Sequence, residues 1–168
     1  MGDCHAPAVC DPAFPGAGRR GAGDARVDRV EIVSQGTYRV EVGEATADPD
    51  APTGQISAPA TFTLIEATTD IAAGLGVEFG LEYRIVGEPE GVEVPLDFVI
   101  SYPAPGLMDP DSSEPLLSTA LARPKTIGKV EYLGYGFEND WELVAGTWRF
   151  TISYRGRTLA ERSFTVTD

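Results

Sequence analysis

From Val27 onward, apolar and polar residues alternate with a period of two over several segments of the chain. Such alternation is typical of β-strands that bury one face and expose the other. The first of these segments predicts a strand that contains Gly36, a residue that fits a bend or a bulge. We expect one face of this strand to carry Val30, Ile32, Tyr38, Val40 and Val42.

Two neighbouring segments, 77–85 and 92–100, show the clearest alternation, and the turn residues GEPEG lie between them. This arrangement predicts an antiparallel hairpin. Pro95 falls on the outward face of the second segment. Since proline cannot donate a hydrogen bond to a neighbouring strand, we expect an edge strand or a bulge there.

The remaining strands are predicted around Phe62–Leu64, 117–123 and 129–137, with a long loop over 101–115 rich in Pro, Asp and Ser. The last hairpin is predicted over 147–154 and 157–166. Its apolar parity changes after Leu159, so we expect a bulge between Ala160 and Arg162. No segment shows convincing helical periodicity.

About eight strands separated by turn signals predict an all-β protein, an antiparallel two-sheet sandwich. The resemblance to an immunoglobulin domain is loose, because both cysteines, Cys4 and Cys10, precede the strands. We predict a flexible Gly/Ala/Pro-rich leader over residues 1–26, whose few large apolar side chains cannot offset the entropy of ordering. A single domain then covers residues 27–168.

The net charge of −13 is concentrated in residues 30–100, where 13 acids face only Arg39 and Arg84. A field of this sign repels phosphate groups, which argues against nucleic acid and anionic lipid as partners. A soluble acidic surface explains the charge most simply, and a basic partner or a bound cation is the alternative. We expect no membrane span, because no apolar run is long enough.

The leader contains the candidate zinc ligands Cys4, His5 and Cys10, with Asp3 or Asp11 as a fourth. Their spacing fits no standard zinc motif, and a local disulfide or two free thiols are the favoured alternatives. A cysteine near the start of a flexible leader also suggests a lipoprotein tether, without a lipobox to support it. A removed signal peptide would favour a periplasmic or secreted protein, and its absence would favour the cytoplasm.

Enzymatic motifs are missing from the sequence. His5 is the only histidine, and a flexible leader cannot hold it in a catalytic triad. The glycines of GAGRRGAG lack the strand and helix of a phosphate-binding loop. We therefore predict no catalytic residues, no cofactor and no enzymatic activity.

Clustered carboxylates in the 101–115 loop are candidates for calcium binding, since calcium prefers several oxygen ligands. The spacing matches no EF-hand, and Asp-Pro pairs are equally ordinary in turns. The candidate ligands are Asp109, Asp111 and Glu114.

The stretch Gly134–Val166 combines aromatic and acidic residues ahead of the last hairpin. In a regular strand, Asp140 and Glu142 would share one side, and Trp141 would take the other. Such a group could form a sugar-binding platform or a glycosidase carboxylate pair, but core packing is favoured. We expect Trp148 in the core and Trp141 as a plug at one end of the sandwich. The speculative ligand-binding residues are Tyr135, Phe137, Asp140, Trp141 and Glu142.

Three segments carry a family resemblance: VDRVEIVSQGTYRVEV, EYRIVGEPEGVEVPLDFVISYPAPGL and GYGFENDWELVAGTWRFTISYRGRTLAERSFTV. Together they resemble the bacterial domain of unknown function family numbered 3859, over about Val27 to Asp168. Gly-Tyr-Gly-Phe, Trp-Glu-Leu and Gly-Thr-Trp are the most specific motifs. The resemblance implies a related fold, and the family has no assigned activity and no established catalytic residues.

The sequence therefore favours a non-enzymatic β-sandwich module that binds a protein partner or assists assembly in the bacterial envelope. The alternative is a carbohydrate- or small-ligand-binding module that uses the aromatic end around Tyr135, Phe137 and Trp141. An enzyme is the third possibility. We expect a monomer or a weak homo-oligomer.

Overall fold

The structure is a computed structural model that describes residues 24–49 and 54–168. Nine strands lie within these residues. They are β1 (Arg26–Ala47), β2 (Gln55–Ala67), β3 (Asp70–Ala72), β4 (Glu78–Glu88), β5 (Glu93–Ser101), β6 (Ser118–Thr126), β7 (Val130–Gly136), β8 (Gly146–Tyr154) and β9 (Arg157–Thr167).

The strands form two sheets with the orders β2-β1-β4-β7 and β3-β9-β8-β5-β6. Among the described strands, only the short β3 pairs in parallel, with β9. The inward side chains of both sheets join in one core, in which Phe79 of β4 packs edge-on against Trp148 and Phe150 of β8. The antiparallel two-sheet sandwich is confirmed.

The predicted hairpin between 77–85 and 92–100 is wrong, because the two strands belong to different sheets. β4 pairs with β1 and β7, whereas β5 pairs with β6 and β8. The two strands meet across the core, where the rings of Tyr83 and Phe98 lie 6.0 Å apart. Alternation shows that each strand buries one face, but both a hairpin and a sheet-to-sheet crossing satisfy that pattern.

Pro95 lies in a strand that is inside its sheet, yet the ladder is one-sided at this position. The β5–β8 pairing covers only Asp97–Ser101, and on the other side Pro95 faces Pro124 of β6. The missing donor of Pro95 therefore breaks no pairing with β8. The expectation of an edge position holds locally, although β5 as a whole is not an edge strand.

A bulge in β1 overturns the predicted single face of the first strand. Val30 pairs with Ile85 and Ile32 with Tyr83, so both face the core, but Val33 has no partner in the register. The extra residue shifts the parity, and Tyr38 pairs with Glu78 on the outer face of the sheet. A one-residue shift moves every later side chain to the opposite face.

A second bulge lies in β2, where Ile65 is skipped between Leu64 and Glu66. The bulge lies opposite Thr37 and Tyr38, next to Gly36, at which a Cβ atom would lie 1.8 Å from the carbonyl oxygen of Glu66. Glycine is therefore needed at this close approach of two strands. The bulge also twists the open edge of β2, which protects an exposed edge against pairing with another chain.

The bulge predicted between Ala160 and Arg162 exists but lies earlier in β9. Ile152 pairs with Ala160 and Ser153 with Thr158, so Leu159 is the extra residue. The last hairpin is otherwise as predicted, with β8 and β9 joined at Arg155-Gly156. Parity shows that a bulge is needed, but its position depends on where each strand meets its partner.

The folded part includes the end of the predicted leader. Strand β1 begins at Arg26, and Ala25 before it is only 6% exposed. The rest of the predicted leader, together with Cys4, His5 and Cys10, lies outside the described residues, so the leader and the zinc hypothesis remain predictions. Within 24–49 and 54–168, no helix is long and apolar enough to span a membrane.

Candidate functional site

Three loops emerge at the same end of the sandwich, which we call the loop end: 73–77, 102–117 and 137–145. The strand directions place the three loops together, because each loop joins a strand that finishes at this end to one that starts there. Backbone hydrogen bonds tie Phe137 to Val77 and to Gly76, so the first and third loops are in direct contact. All the ligand-binding candidates from the sequence lie at or just below this end.

The expected strand through Asp140 and Glu142 is wrong, because Asp140–Glu142 forms a 3₁₀ turn. Asp140 is exposed, but Glu142 is only 1% exposed. Its carboxylate accepts hydrogen bonds from the Tyr135 hydroxyl at 2.6 Å and from the backbone N–H groups of Glu138 and Asn139 at 2.7 and 2.6 Å. Glu142 therefore holds the loop in shape, and its carboxylate is already occupied.

Sequence reasoning missed this role of Glu142, although a signal was present. Asn139 and Glu142 have the spacing of a capping box, in which an acid three residues after the cap reaches back to the cap's N–H. The alternation of polar and apolar residues around Trp141 suggested a strand instead. Within three residues, a strand and a 3₁₀ turn cannot be distinguished by periodicity alone.

The tyrosines at this end are held in their neutral form. Burial and then the hydrogen bond to Glu142 raise the pKa of Tyr135. Burial raises the pKa of Tyr102 to about 12, against a smaller opposing effect of its hydrogen bond with Thr119. Both phenols therefore remain hydrogen-bonding groups over the physiological pH range, and neither is poised to lose a proton.

Trp148 and Phe137 belong to the core, as predicted for Trp148. Trp148 is fully buried, and its indole N–H donates to the Val144 carbonyl at 2.9 Å. Phe137 is 1% exposed and packs 5.5 Å from Trp148, centroid to centroid. Phe137 and Glu142 are thus too buried to line a ligand surface, and the five candidates do not form an open platform.

Trp141 has features of both an end plug and a ligand-binding residue. It packs against the core, as an end plug would, but part of its surface stays accessible to solvent. With the exposed Asp140, it is what remains of the aromatic candidate site at the surface. Tyr135 is half-buried and points toward Tyr102 and Trp148.

The 102–117 loop is a folded element rather than a loose connection. Tyr102 is buried, and its hydroxyl lies 2.7 Å from that of Thr119. Leu107 and Leu116 form an isolated antiparallel bridge, and Leu107 is 1% exposed. Met108 and Leu117 each follow one residue of the bridge, and their side chains are 49% and 59% exposed. The bridge between the buried Leu107 and the partly buried Leu116 therefore keeps Met108 and Leu117 in solvent.

The exposed apolar residues are unevenly placed. Of the five in the described part of the chain, Val33 and Ile65 are bulge residues, and the other three lie on loop-end loops. Those three are Leu75, Met108 and Leu117. Sequence reasoning missed Met108 because the Pro, Asp and Ser content of 101–115 indicated only a loop, and it missed Leu117 because this residue was expected to begin the strand 117–123.

The calcium candidates do not converge. The Asp109 carboxylate accepts a hydrogen bond from the backbone of Asp111 at 2.8 Å, which is the pattern of an Asp turn. Ser112, rather than a carboxylate, contacts the backbone of Glu114. Among the described residues, no group of three His, Cys, Asp or Glu could hold a metal ion.

A separate cluster lies on the outer face of the four-stranded sheet. Tyr38 and Tyr132 are 3% and 8% exposed, their rings lie 4.9 Å apart, and Phe62 stacks on Tyr132. The Tyr132 hydroxyl donates to Glu78 at 3.1 Å. Burial raises the pKa of Glu78, and Glu138 adds to the rise, while the Tyr132 hydrogen bond opposes it.

Glu78→Gln is therefore expected to stabilise the domain at neutral pH. A raised pKa means that ionised Glu78 costs stability once the pH exceeds its folded pKa, and that the cost disappears below the ordinary value of 4.5. We expect the Tm at pH 7 to rise by about 2–4 °C, the shift that ~1 kcal/mol gives for a domain of this size. Thermal unfolding at neutral and acid pH measures it. An equal gain at both pH values, or a loss at neutral pH, would contradict the assignment.

The architecture defines the class of protein: two packed sheets with loops gathered at one end form an immunoglobulin-like β-sandwich. The chain belongs to the family described as Domain of unknown function (DUF3859), whose model matches residues 26–166. This confirms the resemblance seen in the sequence.

The fold is also similar to a solved structure, an immunoglobulin-like protein from Pseudomonas aeruginosa, with a TM-score of 0.58 and 25% identity. The match covers 87% of this chain and 98% of that chain. No protein with a curated description matches the chain.

Proposed function

We propose that this domain is a non-enzymatic module that binds a protein partner through its loop end and acts in the bacterial envelope. The observation that carries the proposal is the exposure of Met108 and Leu117 on a loop that the Leu107–Leu116 bridge holds in place. Surface apolar residues held in a fixed geometry are typical of protein interaction sites. A fixed loop also loses little conformational entropy when it binds.

The chemistry of the loop end supports a binding role over catalysis. Its buried carboxylate, Glu142, has its hydrogen bonds filled by the loop itself. The raised pKa values of Tyr102 and Tyr135 leave both phenols protonated at neutral pH. A general base or nucleophile needs a pKa near the working pH, which neither group has.

Site-specific photo-crosslinking in the cells that make the protein tests the proposal. A photoreactive amino acid at position 108 or 117 is expected to give a discrete adduct, because both positions would lie in the interface. The same group at Arg155, on the turn at the opposite end, is the matched control. Fractionation of the same cells tests the envelope location by the compartment in which the adduct is recovered.

The adduct at position 108 should weaken when Leu117→Ser is introduced in the same chain. Equal adducts at all three positions, or none at 108 and 117, would contradict binding at the loop end. A glycan-binding role, the alternative, rests on the partial exposure of Trp141 beside Asp140. Glycan-array binding that Trp141→Ala abolishes and Leu117→Ser leaves intact would favour that alternative.

A further inference from the structure

The charge on the loop end has one sign. The three loops 73–77, 102–117 and 137–145 contain no lysine or arginine. On the strands beside the 102–117 loop, Arg149 lies opposite Ser101 and forms an ion pair with Glu161. Arg123, the first base after the loop along the chain, pairs with Asp48. The loop-end loops carry exposed or half-buried carboxylates at Asp109, Asp111, Glu114, Glu138 and Asp140.

The opposite end of the sandwich differs in charge. Lys129, Arg155 and Arg157 lie on or beside its turns, and Arg26 begins β1 there. Acids lie among them, since Glu88, Glu90 and Glu93 are at the same end, and Arg26 and Lys129 form ion pairs with Glu88 and Glu131. The three loops therefore carry only negative charge, whereas charges of both signs are mixed at the opposite end. Carboxylates that share a surface without a counter-charge raise the local concentration of cations and of cationic partners.

The apolar and acidic features of the loop end coincide on one loop. Met108 directly precedes Asp109, and Glu114 lies three residues before Leu117. Apolar side chains surrounded by charges of one sign match a partner of opposite charge that also brings an apolar side chain. Anionic membranes and nucleic acids do not fit, because the loop carboxylates repel their phosphates.

We infer that the loop end docks a cationic protein segment, in which Arg or Lys side chains face the loop carboxylates and a large apolar side chain covers Met108 and Leu117. This inference rests on the proposed protein-binding function and names the chemistry of the partner. The carboxylates orient the segment and speed its association, while the apolar contact slows its release.

Titration of the full chain, labelled for NMR, with three short peptides tests the inference. The probes are a peptide of alternating arginine and leucine, one of arginine and serine, and one of glutamate and leucine. We expect the Arg-Leu peptide to perturb the signals of 102–117 and 137–145 and to bind about tenfold more tightly than either of the others. Its affinity should fall as salt is added, because salt screens exposed charges.

Two matched charge variants show whether the peptide binds to the loop carboxylates or is attracted by the net negative charge of the whole chain. Asp109→Asn, Asp111→Asn and Glu114→Gln together remove three charges from the loop end, and the amide oxygen introduced by Asp109→Asn can still accept the turn hydrogen bond. Glu44→Gln, Glu66→Gln and Glu93→Gln remove three exposed charges elsewhere. We expect about tenfold weaker binding of the Arg-Leu peptide only for the first set, and a similar loss for Leu117→Ser.

Each other result has a distinct meaning. Equal losses for both charge sets would show that the whole acidic surface attracts the peptide, and would overturn the inference. Binding without preference for arginine over glutamate, or no binding at the loop end, would overturn it as well. A crosslinked adduct at position 117 alongside either result would keep the protein-binding function and reject only the cationic partner.

Discussion

Trp148→Ala is expected to lower the free energy of unfolding by about 3–5 kcal/mol, a large share of the ~5–15 kcal/mol that stabilises a typical domain. Trp148 is fully buried at the centre of an aromatic cluster, with ring centroids 4.9 Å from Tyr102 and 5.0 Å from Tyr135. Its removal opens a cavity between the two sheets and leaves the Val144 carbonyl without the indole donor.

Denaturant unfolding of Trp148→Ala, compared with Trp148→Phe and Thr147→Ala, measures this effect. Thr147 is exposed on the same strand, so Thr147→Ala should change stability by no more than about 0.5 kcal/mol. Trp148→Phe keeps much of the ring volume and should fall between the two. If Trp148→Ala costs less than about 1 kcal/mol at an unchanged denaturant slope, Trp148 does not fill the core as described.

Glu142→Ala is expected to destabilise the domain by about 3–5 kcal/mol, the cost of breaking a buried charged network by removing one partner. The Tyr135 hydroxyl and the N–H groups of Glu138 and Asn139 would lose their common acceptor in a region closed to water. Each buried donor left without a partner is costly, because it has lost its hydrogen bonds to water.

Glu142→Gln separates hydrogen bonding from charge. Its carbonyl can still accept from Glu138 and Asn139, and its amide can face a rotated Tyr135 hydroxyl, so we expect a smaller loss than for alanine. Asp140→Ala is the surface control, since Asp140 is an exposed acid on the same turn. Chemical denaturation measures all three variants. Equal stability of Glu142→Ala and Asp140→Ala would refute the buried network.

These two residues also show how far the sequence predicted the candidate site. Trp148 shares its parity with Phe150 and Ile152, so its place in the core was predictable from one strand alone. For Glu142 the sequence offers only a speculative ligand-binding role, because carboxylates are ordinarily exposed. Its burial depends on three donors that the 3₁₀ turn brings together, and no local pattern records that convergence.

The exposed pair Met108 and Leu117 shows a different limit. Met108 lies in the loop predicted over 101–115, but Leu117 was expected to begin the next strand, and the antiparallel bridge between Leu107 and Leu116 was not predicted. The bridge decides which apolar residues are buried and which are exposed. In irregular segments, side-chain direction has no fixed period, so composition alone cannot assign it.

The alternation of apolar and polar residues was sufficient to establish an all-β sandwich, most of its strands and the inward face of β4, β5 and β8. Those features depend on contacts between neighbouring residues and on the need to bury one face of each strand. The neighbours of each strand, the bulges at Val33 and Ile65, the position of the bulge at Leu159, and the meeting of three loops at one end were decided by the tertiary structure. They depend on pairings between residues far apart in the chain, and different pairings can satisfy the same alternation.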